Sequence, residues 1–269
     1  MLIAQITDMH VKRPGSPALE GVDTAACLER CVAHINAMER QPDVVLATGD
    51  LVAEGSAEEY AILRRALAPL RAPLYVIPGN HDDRDRLREA FSDHDYLPKD
   101  SPFLHYVIEG YPVRLIALDT VIPGEDGGRL CAERLAWLEA RLAAAPPDRP
   151  TVIFMHHPPF VTGMDHLDRI GCEGGAALGA VIARNPQVER VLCGHVHRPI
   201  QVRWHGTIAS TGPSTGLQMA LELRPDGPFR WSFEPPACQL HLYRPEVGVI
   251  SHLSYIGDFD RPQPTTPMA

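Results

Sequence analysis

The 269-residue sequence predicts an α/β fold, and three observations lead to that prediction. Strand-like apolar runs alternate with helix-like segments through the first two-thirds of the chain, as in βα units. Apolar residues make up 45% of the chain, which is enough for a packed core. Five of the strand-like runs end in a polar cluster, and α/β sheets bind ligands outside the carboxyl ends of their strands. We therefore expect one functional site at an edge of the sheet.

Individual elements follow from apolar periodicity, caps and prolines. The predicted strands before the polar clusters are Leu2 to Thr7, Val44 to Thr48, Leu74 to Ile77, Val152 to Met155 and Val191 to Cys193. The predicted helices are Asp23 to Arg40, Ser56 to Leu70, one opening at Asp82 to Asp85, and Leu130 to Ala145. Ser56 and Glu59 match a capping box, and Pro146-Pro147 ends the last of these helices. Tyr106 to Glu109 and Val113 to Leu118 form a predicted hairpin.

The composition changes after His197, where short alternating runs and turn residues replace the βα pattern. The predicted strands there are Gln201 to Trp204, Thr207 to Thr211, Leu217 to Leu223, Cys238 to Tyr243 and Val249 to Tyr255. We expect a second, mostly antiparallel sheet packed on the first. The organisation is then a catalytic core at 1–211, C-terminal strands at 212–257 that complete the second sheet and could form a dimer contact, and a loose tail at 258–269.

Charge and composition exclude several classes of function. A net charge of -9 argues against a clamp for a nucleic-acid polymer, which carries a basic face. A phosphate substrate stays possible, because bound metal ions reverse the local sign of charge. No apolar stretch approaches the roughly 20 residues of a membrane span. The start of the sequence lacks the pattern of a signal peptide, and the six cysteines lack metal or redox spacing, so we expect a cytoplasmic protein with buried thiols.

The five polar clusters contain only nitrogen and oxygen ligands, enough for two adjacent metal ions. They are Asp8-Met9-His10, Gly49-Asp50, Gly79-Asn80-His81-Asp82, His156-His157 and Gly194-His195-Val196-His197. Asp8 and His10 stand two residues apart, and residues at that spacing in extended backbone point the same way. His195 and His197 have the same spacing. The Asp50 carboxylate could bridge two cations roughly 3.5–4 Å apart, as two-metal hydrolases require.

In this order the clusters resemble the motifs of the calcineurin-like metallophosphoesterases, from Leu2 to about Thr211. Met155-His156-His157-Pro158-Pro159 and Cys172-Glu173-Gly174-Gly175 are similar to segments of the class III cyclic nucleotide phosphodiesterases and a related bacterial glycerophosphodiesterase. The resemblance implies a four-layer α/β/β/α sandwich. It also implies two metal ions, divalent or of mixed valence, drawn from iron, manganese, zinc and cobalt. One metal would take Asp8, His10, Asp50 and His197, and the other would take Asp50, Asn80, His156 and His195.

The chemistry expected of such a centre is hydrolysis of a phosphate ester. A hydroxide held by the metals would attack phosphorus in line, because two cations lower the pKa of water. Asn80 would stabilise charge on the phosphoryl oxygens. His81 would face the substrate and could protonate the leaving alkoxide, or it could instead orient Asn80.

Departures from the wider family narrow the substrate. Protein phosphatases of the superfamily follow Gly-Asp with an Asp-Arg pair and carry further arginines, whereas Leu51 to Gly55 contains no arginine. A sparse cationic shell suits the single charge of a diester better than a monoester. The glycerophosphodiesterase relative has a further active-site histidine, where Thr215 to Met219 offers Gln218 and no histidine.

Three functions therefore compete. The preferred one is hydrolysis of small phosphodiesters, in particular 3′,5′-cyclic nucleotides, and glycerophosphodiesters or phosphomonoesters are the alternatives with the same metal centre. A non-catalytic scaffold is a remote alternative, because such proteins lose ligands and every position is filled here. We expect a small phosphodiester as substrate, no membrane or nucleic-acid partner, and a homodimer or higher homo-oligomer.

Several other polar residues are not assigned to the site. His157 is expected to support its neighbour rather than bind metal. Asp119 could orient a ligand histidine or cap a strand end, and Arg129 and Arg198 are expected to form solvated ion pairs. The loops Pro123 to Gly128 and Phe160 to Gly175 could rim the pocket.

Overall fold

The computed structural model describes residues 1–15 and 21–259. Its helices are α1 (Thr24–Asn36), α2 (Ala57–Leu67), α3 (Arg84–Ala90), α4 (Ala132–Ala143), α5 (Asp165–Asp168) and α6 (Gly175–Ala183). Its first strands are β1 (Leu2–Ile6), β2 (Val44–Thr48), β3 (Leu74–Ile77), β4 (Tyr106–Ile108), β5 (Arg114–Leu118), β6 (Gly128–Arg129), β7 (Thr151–Met155) and β8 (Cys172–Glu173). The later strands are β9 (Val188–Cys193), β10 (Ile200–Trp204), β11 (Thr207–Thr211), β12 (Gln218–Met219), β13 (Trp231–Ser232), β14 (Ala237–Arg244) and β15 (Gly248–Tyr255).

Two sheets carry the fold. The first has five strands in the order β15-β14-β1-β2-β3, and the second has six in the order β10-β11-β9-β7-β5-β4. Strands β1, β2 and β3 are parallel to one another, as are β5, β7, β9 and β11. Antiparallel strands flank the parallel strands on both edges of the second sheet, where β10 and β4 are outermost. In the first sheet they flank one edge only, through β14 and β15, and the parallel strand β3 forms the other edge. Two small pairs, β12-β13 and β6-β8, lie outside these sheets.

Side-chain alternation along the second sheet shows that the molecule has four layers. Leu115, Val152 and Leu192 belong to the core shared with the first sheet and with α1 and α2. Their neighbours Ile116 and Ile153 belong instead to a core shared with α4 and α6. A strand whose faces are both buried requires cover on both sides, so the layers run helix, sheet, sheet, helix. The predicted α/β/β/α sandwich is confirmed.

Local signals in the sequence place most of the elements. Asp23 caps α1 by accepting a hydrogen bond from the Ala26 amide, and Ser56 and Glu59 form the complete capping box of α2. The predicted hairpin is present, since β4 pairs antiparallel with β5. The helices end two to four residues earlier than their predicted limits, at Asn36, Leu67 and Ala143.

The prediction for the C-terminal strands was wrong about which sheet they join. Cys238 to Tyr243 lies in β14, which pairs antiparallel with β1, so β14 and β15 extend the first sheet. Strands β10 and β11 instead join β9 in the second sheet. Alternation fixes which face of a strand is buried but not which edge it pairs with, and the free edge of β1 accepts β14. Of the predicted alternating run Leu217 to Leu223, only Gln218–Met219 is a strand.

Two further expectations concern the C-terminal tail and membrane-spanning helices. The predicted tail begins at Asp258, and its residues 260–269 lie outside the described residues. Among the helices that the structure describes, none combines the length and the hydropathy needed to cross a bilayer.

Candidate metal centre

The five polar clusters converge at one edge of the sandwich. Each follows the carboxyl end of a parallel strand, namely β1, β2, β3, β7 and β9. Parallel strands of a sheet end at the same edge, so loops from both sheets meet there. All seven predicted ligand residues are brought together in this way, and six of them are buried, while Asn80 is half-buried.

One group of ligand atoms forms around Asp8. The His197 Nε2 atom lies 3.4 Å from Asp8 Oδ1 and 3.0 Å from His10 Nε2. Asp8, His10 and His197 each offer one ligand atom, and these atoms lie within 4.8 Å of one another. Two imidazole nitrogens this close to a carboxylate and to each other form a set of donors suited to a cation.

A second group lies beside the first and shares Asp50. The Asp50 Oδ2 atom is 3.5 Å from His10 Nε2 on one side and 3.4 Å from His156 Nε2 on the other. His156 Nε2 also lies 3.2 Å from Asn80 Oδ1. Asp50 therefore occupies the position between the two groups that a bridging carboxylate requires.

His195 completes the second group. Its ring lies 5.2 Å from that of His156, centroid to centroid, and its Nε2 atom is buried without a hydrogen-bond partner among the described residues. An unpaired buried nitrogen costs free energy on the order of 1–3 kcal/mol, which a bound cation would offset. The backbone amide of His195 donates to both oxygens of Asp8 at 3.0 Å, so this residue ties the two groups together.

The backbone at the site is strained. The prediction that the paired ligands point the same way because they are two apart in extended backbone was therefore wrong about the cause. Left-handed φ angles occur at Asp8 (52°), His10 (42°), Asp50 (49°), His195 (72°) and His197 (47°). The backbone of these residues is therefore left-handed and not extended, and this local conformation aims each pair into one pocket. Such conformations cost on the order of 1–3 kcal/mol each and gather at functional sites.

Two glycines make this crowded arrangement possible. A Cβ at Gly79 would overlap the backbone nitrogen and side chain of Asp50, and one at Gly49 would overlap the His156 ring. Gly49 also has a φ of 94°, a conformation that other residues rarely adopt. The glycines therefore allow the loops after β2 and β3 to approach the ligand side chains closely.

Hydrogen bonds to the backbone fix the orientation of two histidine rings. His197 Nδ1 lies 2.7 Å from the Leu217 carbonyl, and His156 Nδ1 lies 2.8 Å from the Thr48 carbonyl. Each ring nitrogen must donate to its carbonyl, which leaves Nε2 as the electron-pair donor facing the centre. Histidine ligands of metal ions are commonly oriented in this way.

Burial and mutual contact shift the pKa values of the ligand groups. Burial lowers the pKa of His10 well below its ordinary range and that of His195 to about 3, so both rings are neutral. Burial alone would raise the pKa of Asp50, but His156 outweighs it and holds the pKa well below its usual value. The Asp50 carboxylate in turn raises the pKa of His156 to about 9, against the effect of burial, so a metal ion would replace a proton on this ring. The residues present, with carboxylate, amide and imidazole donors, fit two transition-metal ions.

His81 differs from the ligand residues because its side chain is exposed. Its backbone amide donates to Asp50 Oδ1 at 3.0 Å, and its Nδ1 atom lies 2.8 Å from the Ala53 carbonyl. The ring packs edge-on against His10, with 4.6 Å between centroids. His81 is thus held rigidly at the border between the ligand groups and solvent, within reach of a bound substrate.

Asp82 supports the site in a way that the sequence analysis missed. It is buried and accepts hydrogen bonds from the amides of Leu51 (3.0 Å) and Gly79 (2.9 Å), and from the Tyr60 hydroxyl (2.9 Å). These bonds join the loops that carry Asp50 and Asn80. The signal was the fourth residue of Gly79-Asn80-His81-Asp82, which the sequence analysis used only as the start of a helix.

The residues left unassigned lie where they can support the site or the fold. His157 has both ring nitrogens within hydrogen-bond distance of protein atoms, at 2.7 Å from Thr120 Oγ1 and 3.1 Å from the Asp126 carbonyl. Asp119 is paired with Arg84 at 2.6 Å and accepts from two backbone amides, so it caps the end of β5. Arg129 pairs with Glu173 and Arg198 with Glu234.

The two loops predicted to rim the pocket do face each other. They line a cavity of about 750 Å³ together with Pro158 and Pro159, directly after His156-His157. The Asp126 carbonyl that contacts His157 belongs to the same lining, so the cavity adjoins the ligand groups through this histidine.

Comparisons with known proteins agree with this geometry. Residues 1–199 match the family described as calcineurin-like phosphoesterase. The chain is 39% identical over 265 residues to a probable glycerophosphodiester phosphodiesterase, GpdQ, of Arcobacter nitrofigilis, covering 98% of this chain and 96% of the relative. It is 33% identical to the 3′,5′-cyclic adenosine monophosphate phosphodiesterase CpdA of Escherichia coli K12, covering 80% and 76%. A dimetal phosphatase from Danio rerio superposes with a TM-score of 0.66 at 15% identity, covering 96% and 99%.

Proposed function

This chain belongs to the calcineurin-like phosphoesterase family, and on that premise we propose that it hydrolyses small phosphodiesters at a centre of two metal ions. The observation that carries the proposal is the position of Asp50, whose Oδ2 atom lies 3.5 Å from His10 Nε2 and 3.4 Å from His156 Nε2. A carboxylate shared between two ligand groups is what a binuclear hydrolase needs.

We assign the ligands by these two groups. One metal ion is held by Asp8, His10, Asp50 and His197, and the other by Asp50, Asn80, His156 and His195. When bound, the ions supply an acidified water as nucleophile and neutralise charge on the phosphate. Iron, manganese, zinc and cobalt all suit a set of histidine and carboxylate donors.

The protein's own groups position the ester and move the proton. The Asn80 side chain lies at the border of the second group, where its amide can donate to a phosphoryl oxygen. The exposed His81 ring donates its Nδ1 proton to the Ala53 carbonyl, so its Nε2 atom faces the substrate. As the imidazolium, with a proton on each nitrogen, it can pass the Nε2 proton to the leaving alkoxide and become neutral. Burial of the ligand side chains keeps bulk water away from them.

The few arginines near the centre support a diester as substrate. Arg129 and Arg198 are both paired with glutamates and do not supply free positive charge. A phosphodiester carries one negative charge where a monoester carries about two, so it needs fewer cationic groups. We propose 3′,5′-cyclic nucleotides as the main substrate class.

Glycerophosphodiesters are the second candidate, favoured by the relative named GpdQ, whose similarity extends over 98% of this chain. Gln218 bears on this choice, since it stands in the segment where that branch has a further histidine. It is buried and bonded to the Ser214 amide and carbonyl at 3.0 and 2.8 Å, so it braces its own loop and does not replace a histidine in the pocket.

A substrate panel on metal-reconstituted protein tests the proposal. We expect turnover of cyclic AMP and bis(p-nitrophenyl) phosphate to exceed that of p-nitrophenyl phosphate, a monoester, by at least tenfold. Glycerophosphocholine as a further substrate separates the two diester classes. A preference for the monoester would contradict the proposal, and absence of any turnover with metal bound would favour a scaffold.

We also propose a cytoplasmic location and a homodimer or higher oligomer. All six cysteines are free, as expected in a reducing compartment. Strand β15 forms an edge of the first sheet and exposes Leu253 and Tyr255, and an exposed apolar edge strand favours pairing with a second copy. Sedimentation analysis gives the number of subunits.

A further inference from the structure

A second cavity, separate from the candidate metal centre, lies at the opposite end of the strands of the second sheet. Its volume is about 420 Å³, and Arg190, Arg203 and Thr207 are among its lining residues. Arg190 stands near the start of β9, whereas the ligand loop begins at Gly194, about 13 Å farther along an extended strand. We call this space the rear cavity.

The register of three strands brings two arginines to one face of the sheet. Arg190 on β9 is opposite Ile208 on β11, and Ile208 is opposite Arg203 on β10. Residues directly opposite each other in a sheet point to the same side. The two guanidinium groups therefore flank Ile208 and both line the rear cavity.

A buried polar group without a partner lies in the wall of this cavity. Arg190 is 8% exposed, and its Nη2 atom donates to the Val249 carbonyl at 2.8 Å, but its Nη1 atom has no partner among the described residues. Such a donor costs free energy unless a ligand or a water molecule bonds to it.

The charge of the rear cavity is positive. Arg203 is exposed at its rim and, within residues 1–15 and 21–259, forms no ion pair. Glu189 also lines the cavity, but it lies against Gly248 in the turn between β14 and β15. Two guanidinium groups facing one carboxylate leave an excess of positive charge in a protein whose net charge is -9.

We propose that the rear cavity is a second, non-catalytic binding site for a tetrahedral oxyanion, specifically a phosphate group. Guanidinium groups bind phosphate oxygens through paired N–H donors, and Arg190 and Arg203 present two such groups on one face of the sheet. A volume of about 420 Å³ accommodates either free phosphate or a small phosphorylated metabolite. The site does not depend on the chemistry proposed for the metal centre.

Calorimetric titration of the metal-reconstituted protein with inorganic phosphate tests this site, and glycerol 3-phosphate as a second titrant distinguishes the free ion from an organic phosphate. We expect two classes of site for phosphate, one at the metals and one at the rear cavity. Arg203→Gln is expected to weaken phosphate binding at the rear cavity at least tenfold. Binding at the metals and turnover of bis(p-nitrophenyl) phosphate should not change. The control Arg65→Gln, at an exposed arginine of α2, leaves both classes intact.

A second variant protects the test against a folding artefact. Arg203→Lys keeps the positive charge at an exposed position, so the melting temperature without phosphate should not change. Part of the phosphate affinity lost in Arg203→Gln should return in Arg203→Lys. An Arg203→Gln isotherm that superimposes on that of the unchanged protein, a loss confined to the metal-centre class, or an equal loss in the Arg65→Gln control would overturn the proposal. Failure of the proposed catalytic function is seen separately, as absence of turnover by the unchanged protein with metal bound.

Discussion

At the scale of single residues, the side chains of the centre project from strained backbone, with φ angles of 52° at Asp8 and 72° at His195. The motifs Asp8-Met9-His10 and Gly194-His195-Val196-His197 predicted the residue types that the structure brings together. The left-handed backbone at Asp8, His10, His195 and His197 could not be predicted, because non-glycine residues adopt it only when surrounding structure imposes it. The spacing of the ligands suggested strand alternation, whereas left-handed backbone orients their side chains.

Asn80 tests the chemistry at this scale. Replacing Asn80 with Ala removes the oxygen that lies 3.2 Å from His156 Nε2 and the amide that would donate to phosphate. We expect kcat for bis(p-nitrophenyl) phosphate to fall on the order of 10²–10³-fold, as for loss of one oxyanion donor. Metal content measured in parallel shows whether a ligand was also lost. Unchanged turnover would remove Asn80 from the mechanism.

The role of His81 is tested by comparing substrates whose leaving groups differ in their need for a proton. An alkoxide needs a proton as it departs, whereas p-nitrophenolate does not, so a general acid matters more for alkyl esters. In His81→Ala, kcat for cyclic AMP should fall at least tenfold more than kcat for bis(p-nitrophenyl) phosphate. Equal losses for both substrates would assign His81 to positioning of the Asp50 loop, to which its backbone amide is bonded.

At the scale of elements, caps and periodicity were sufficient for most of the helices and strands, but the loops needed the tertiary structure. The capping box at Ser56 and Glu59 is present as predicted, because it is a purely local signal. Asp82 connects Gly79 to Leu51, which lies 31 residues before Asp82, and no local pattern in the sequence indicates this contact. Likewise, α6 was not predicted, since its apolar residues are not arranged on one face.

The loop after β3 gives a prediction about packing. In Gly79→Ala the added methyl group would overlap the Asp50 backbone and carboxylate. We expect less than one metal ion per chain and a loss of turnover on the order of 100-fold, although Asn80 itself is untouched. Gly110→Ala is the matched control, because a Cβ there meets no atom within 4 Å. Normal metal content in Gly79→Ala would show that the loop does not have to approach Asp50 so closely.

The strand pair β4-β5 gives a prediction about pH. Burial lowers the pKa of His105 from its ordinary 6.5 to about 4, and its Nδ1 atom accepts from the Asp119 amide at 2.9 Å. Between these two pH values the unfolded chain gains a proton that the folded protein does not. The free energy of unfolding should therefore fall by about 3 kcal/mol as the pH drops from 6.5 to 4.

Chemical denaturation across that pH range checks this expectation. In His105→Asn the side-chain oxygen can still accept from Asp119, but the titrating group is gone, so the slope should flatten. His252→Asn on the exposed face of β15 serves as the control and should retain it. An unchanged slope in His105→Asn would contradict the assignment.

At the scale of the whole molecule, the sequence was sufficient to predict the class of fold. It was not sufficient to predict which strands form the edges of the two sheets. Buried parallel strands and interleaved helices predicted the α/β architecture. The pairing of β14 with β1 was not predicted, because it joins residues more than 230 positions apart through an edge that no pattern marks. That same pairing leaves β15 at the margin of the first sheet, the edge through which we propose that copies of the chain associate.

The central claim, a pair of metal ions bridged by Asp50, is tested most directly by anomalous diffraction from crystals of manganese-reconstituted protein. We expect two peaks per chain, roughly 3.5–4 Å apart, with the Asp50 carboxylate between them and Asp8 and His156 on opposite sides. A single peak, or peaks that Asp50 does not bridge, would contradict the account.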